Sequence, residues 1–141
     1  AIDGAYVRSL KNDDLSRRVT VGMVNIMHPE GGAMGFEARI RSDMVLALAV
    51  THHLILRQSA DIDRVLESFC KVTNRYLAIE FMPLGLWDGK KTKPLPAWYT
   101  PEWFKAHLET HVRILWEEQL EPNRIFYLCE KWAVAEKGVS E

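Results

Sequence analysis

Two adjacent histidines, His52 and His53, follow the apolar run Asp43–Val50, and imidazole is the side chain that trades protons near neutral pH. Three readings of the pair stay open. A metal ion is the weakest, because adjacent side chains of an extended segment point apart and no H-x-E, H-E-x-x-H or C-x-x-C pattern supplies further ligands. A general base is the second reading. A structural histidine bonding backbone at the end of a strand is the third and the most ordinary. Three other polar residues invite the same comparison. Asp3, between Ile2 and Gly4, can accept two hydrogen bonds from a ribose diol or simply cap a following helix. Asn25 can accept from an adenine amino group through its side-chain carbonyl, or bond a neighbouring loop. Glu80 lies inside YLAIEFM (76–82), where an unpaired carboxylate is expensive to bury. Its candidate partners are Arg75, a lysine of the following loop, or a histidine of a neighbouring strand.

These residues need elements to position them. Tyr6, Val7 and Leu10 recur at helical spacing within 4–15, and 19–27 is rich in β-branched and apolar residues before Pro29, Gly31 and Gly32. The first reads as a helix and the second as a buried strand. Residues 43–50 are apolar on both parities, the mark of a strand covered on both faces. Ile62, Val65, Leu66, Phe69 and Val72 recur at intervals of three and four, which predicts an amphipathic helix over 61–73 capped by Asp61 or Ser59. A buried strand follows at 76–82. Thr100-Pro101-Glu102 is a helix start: a capping hydroxyl, proline in the first turn, then an acid. Two β-like runs, 112–120 and 124–129, are joined by Glu121-Pro-Asn123, which suits an antiparallel pair. The order of elements predicts an α/β fold with a mainly parallel sheet and a C-terminal antiparallel hairpin. Between strand and helix, 83–99 carries Trp87, Trp98, Tyr99 and Lys90, Lys91, Lys93. A connection that long is a binding loop or a lid, and its aromatics either clamp a substrate or pack half-buried. In open α/β sheets ligands bind beyond the carboxyl ends of the strands, where Asp3, Asn25, Thr51-His52-His53 and Glu80 all fall.

Composition narrows the classes. The 141 residues fit one domain, 1–141, with 48% apolar residues to fill a core. A net charge of −1 leaves no surplus of Lys and Arg to neutralise a nucleic acid. The longest apolar run, Met44–Val50, is too short to cross a bilayer. The two cysteines, Cys70 and Cys129, sit in apolar patterns and read as buried thiols, and the cytoplasm is the default compartment. Neither dinucleotide nor phosphate-loop glycine motifs occur, nor the G-x-S-x-G elbow of hydrolases.

The segment Asp43-Met-Val-Leu-Ala-Leu-Ala-Val-Thr-His-His-Leu54 resembles the fourth-strand motif D-x-V-x-x-x-x-x-x-H-H-L of class I S-adenosylmethionine-dependent methyltransferases. YLAIEF (76–81) is similar to that family's fifth strand, Tyr99-Thr-Pro-Glu-Trp-Phe104 to the helix before the sixth, and Arg124–Lys131 to the seventh. The nodulation-protein-like branch is the nearest in pattern. The resemblance implies a Rossmann-like sheet of order three, two, one, four, five, seven, six. It places Asp3 on the cofactor ribose, Asn25 near the adenine and Thr51 beneath the methyl donor, with His52 and His53 as the catalytic pair facing an unidentified methyl acceptor. Trp87 and Tyr99 fall on the substrate side. The family's first strand, with its glycine-rich turn, has no counterpart here, and residues 1–3 align to the end of the second. The expectation is therefore a C-terminal portion of a methyltransferase that binds S-adenosylmethionine weakly or not at all by itself. The alternative expectation is a non-catalytic α/β interaction module that forms a homodimer through an open sheet edge.

Overall fold

Both long helices begin where the sequence provides a cap. In the computed structural model, which describes residues 25–28, 39–91 and 93–132, the Asp61 carboxylate accepts the Arg64 N–H at 3.1 Å and starts α1 (Ile62–Val72). The Thr100 hydroxyl accepts the Trp103 N–H at 3.1 Å and starts α2 (Pro101–His111), with Pro101 in its first turn. At the far end of α1 the Lys131 ammonium donates to the carbonyls of Cys70 and Thr73, both at 2.9 Å, so carbonyls at the helix exit are satisfied by a cation.

Among the described residues four strands form the sheet: β1 (Ser42–Ala47), β2 (Thr73–Phe81), β3 (Val112–Glu121) and β4 (Arg124–Lys131), in the spatial order β1-β2-β4-β3. β1 pairs parallel to β2, whereas β4 runs antiparallel to both β2 and β3. Three strands therefore share a direction, yet only one pairing is parallel. The fold is α/β as expected, but the sheet is mixed rather than mainly parallel. The reason is local: the short turn at Pro122-Asn123 reverses the chain, and β4, not β3, takes the place beside β2.

The core lies between the sheet and the two helices. Leu77, Ile79 and Phe81 of β2 and Tyr127 and Cys129 of β4 meet Val65, Leu66 and Phe69 of α1 and Phe104 and Leu108 of α2. Phe81 stacks on Phe104 with ring centroids 4.8 Å apart. No disulfide is present: Cys129 is a buried thiol whose pKa burial pushes up to about 12, and Cys70 is half-buried.

Two expectations are corrected. Residues 25–28 form a turn, with the His28 N–H donating to the Asn25 carbonyl at 3.0 Å, so no strand reaches residue 27; the remainder of 19–27, and the helix read at 4–15, lie outside the described residues. In β1, Val45 and Ala47 turn to the core, but Leu46 on the other face is 62% exposed and Met44 is exposed with it. Among the described residues β1 is the edge of the sheet, so its two-sided apolar pattern is covered on one side only.

Candidate functional site

The chain turns sharply where β1 ends. Ala49 adopts φ 52°, a left-handed conformation that is strained for a residue with a side chain. The turn is held from outside: the Ala49 N–H donates to the Glu80 carboxylate at 2.8 Å, and the Thr51 hydroxyl donates to the Glu80 main-chain carbonyl at 2.7 Å. Glu80 is 2% exposed. Its charge is met by the Arg124 guanidinium at the start of β4, whose Nη1 lies 3.1 and 3.2 Å from the two carboxylate oxygens. A buried carboxylate with one cation and one backbone donor is a satisfied hub. It welds the ends of β1, β2 and β4 together.

This pairing was not legible from local sequence. Arg75, the neighbour considered for Glu80, pairs with Glu130 at 3.4 Å instead. Arg124 lies 44 residues from Glu80 in the chain and comes beside it only because β4 inserts next to β2. A signal did exist, since a lone acid in an apolar strand requires a cation, but the sequence does not name which.

Beyond Thr51 the backbone forms a π-helical turn, His53–Arg57, and at Ser59 it again takes a positive φ of 53°. π-turns and strained non-glycine residues are rare and concentrate at functional sites, and here they bracket the histidine pair. His52 is 6% exposed and, among the described residues, its Nδ1 has no hydrogen-bond partner. The exposed His53 ring packs against it, centroids 4.1 Å apart. Burial first, and the neighbouring imidazole second, lower the pKa of His52 from 6.5 to about 4. His52 is therefore neutral at pH 7, a hydrogen-bonding group more than a base, whereas His53 is the ring that solvent can reach.

The loop that follows β2 is fixed close to this turn. The Tyr99 hydroxyl donates to the Met82 carbonyl at 3.1 Å, and its ring packs on Phe81 at 4.8 Å. Asn123 receives the Leu84 N–H and donates to the Gly85 carbonyl. Its 82–85 start is thus tied down rather than free, and Tyr99 belongs to the core with its hydroxyl engaged. Trp87, farther along, is exposed.

The structure thus gathers Thr51, His52, His53 and Glu80, with Tyr99 joined through Met82. It does not bring Asn25 to them by any described bond; the Asn25 side-chain oxygen accepts the Met27 N–H at 3.1 Å in a local turn. Asp3 lies outside the described residues. Among the described residues no group of three His, Cys, Asp or Glu is arranged to hold a metal ion, and no helix is long and apolar enough to cross a membrane. No family model matches this sequence, and comparisons with curated proteins and with solved structures find no relative.

Proposed function

We propose that this chain carries the later strands and the acceptor side of a methyltransferase-type domain that uses S-adenosylmethionine. The observation that carries the reading is topological. The order β1-β2-β4-β3 agrees with the four, five, seven, six part of the order implied by the resemblance, and the histidine pair follows the carboxyl end of β1, where ligands of open α/β sheets lie. The described residues do not by themselves form a cradle for the cofactor. Thr51 is fully buried with its hydroxyl engaged, and Asn25 bonds its own loop. What this chain's own residues supply is position: the Glu80–Arg124 hub fixes the turn, the turn fixes His52, and its unpartnered Nδ1 is a buried polar atom with hydrogen-bonding capacity to spare. His53, exposed beside it, is placed to take a proton from an acceptor hydroxyl or amine.

The test is an NMR titration of the chain with S-adenosylhomocysteine. Weak binding is expected, with amide shifts concentrated at 49–53 and 80–83. Tight, micromolar saturation, which would need a cradle these residues do not form, or shifts confined to residues remote from these segments, would refute the reading. A second reading, an interaction module, is favoured by the exposed apolar side chains Leu46 and Trp116, which stand at the two ends of the cross-sheet row Leu46–Ala78–Leu128–Trp116, whose Ala78 is buried. A stable dimer in light scattering, lost on Leu46→Lys, supports that alternative.

A further inference from the structure

One concave feature lies in the helix layer. Ile55 of the π-turn, Asp61 at the start of α1, Trp98, and Trp103 and His107 of α2 line a cavity of about 310 Å³, the size of a small-ligand site. A second depression of about 230 Å³ shares Ile55 and Ala60 and lies against the same indole of Trp98. Trp98 is 50% exposed. Its ring centroid is 4.7 Å from that of Trp103, which in turn lies 5.3 Å from His107, so three aromatic rings make one continuous wall. The orientation of His107 is set from α1, where Asp63 meets its Nδ1 at 3.0 Å and the Nε2 of His111 at 3.1 Å.

Charge decides what such a wall prefers. Each helix N-terminus carries roughly half a positive charge, about one in total for α1 and α2. Against this, the caps and first turns hold Asp61, Asp63 and Glu102, with Arg64 the one base among them. The local balance is negative. Aromatic faces beside a carboxylate attract weakly hydrated cations.

We propose that this cavity binds a small organic cation, an alkylammonium head, with Trp98 and Trp103 as the π faces and Asp61 as the counter-charge. The site stands independently of the methyl-transfer reading. The experiment uses choline and its uncharged isostere 3,3-dimethylbutan-1-ol, followed through the indole N–H resonances of Trp98 and Trp103. Choline shifts both saturably, and the alcohol binds about tenfold more weakly or not at all. Asp61→Asn keeps a capping side chain while removing the charge; it should weaken choline about threefold or more with thermal stability unchanged, and Trp98→Ala should weaken it further. Equal binding of the alcohol, insensitivity to Asp61→Asn at unchanged stability, or no shift with choline would each overturn the proposal.

Discussion

Acidification should destabilise this fold through a single buried ring. His52 is buried with Nδ1 unpartnered, and its pKa is held down to about 4 against 6.5 in an exposed imidazole. Between those two values the unfolded chain binds a proton that the folded chain refuses. Stability therefore falls as pH drops through that window and levels off below about 4. At about 1.4 kcal/mol per pKa unit, the loss is on the order of 3 kcal/mol, a large share of the roughly 5–15 kcal/mol that holds a typical domain together. The Asp63 and Glu130 carboxylates are held below their usual range by hydrogen bonds from histidine and arginine partners, so their contribution is lost as pH falls through and below the ordinary carboxylate range, at the acid end of the His52 window and beyond. Urea unfolding at a series of pH values, for the native chain and for His52→Gln, isolates the effect. The native-minus-variant difference should change by a few kcal/mol across the window, and the native ring, followed by NMR, should remain neutral at pH 5. A His52 ring that titrates near 6.5, or a variant that keeps the full pH slope, would refute the reasoning.

Four further variants probe the Glu80–Arg124 pair and the loop after β2. Glu80→Gln keeps an acceptor for the Ala49 N–H but loses a charged hydrogen bond, and should destabilise by about 1.5–3 kcal/mol. Arg124→Gln leaves the Glu80 carboxylate buried without its cation and should be the more damaging of the two; the reverse order in urea unfolding would show that the ion pair is not the anchor. Gly85→Ala places a methyl 2.7 Å from both Leu56 Cδ1 and Leu95 Cδ2 at φ +61°, and should cost about 2–3 kcal/mol. Gly89→Ala, at φ +90° with no atom of the other described residues beyond its chain neighbours within 4 Å, should cost less in the same thermal melt, because only the backbone is strained.

Much of this architecture was written locally. Asp61 and Thr100 start their helices because a side-chain oxygen three residues before a free N–H caps it whatever the fold, and Glu121-Pro-Asn123 closes a hairpin because a turn that short permits only an antiparallel return. The apolar spacing of 62–72 fixed the buried face of α1 for the same reason: a helix repeats every 3.6 residues in any context. What spacing could not reach were the pairings between distant segments. That β4 lies beside β2, that Arg124 rather than Arg75 neutralises Glu80, and that Asp63 joins two histidines of α2 are decided by which elements become neighbours. Likewise the sequence marked His52 and His53 as chemically able, but burial, a property of the assembled molecule, separated a neutral inner ring from an exposed outer one. Short-range rules act through bonds and turns of fixed geometry, whereas proton affinity and charge pairing depend on solvent exclusion by residues far away in the chain.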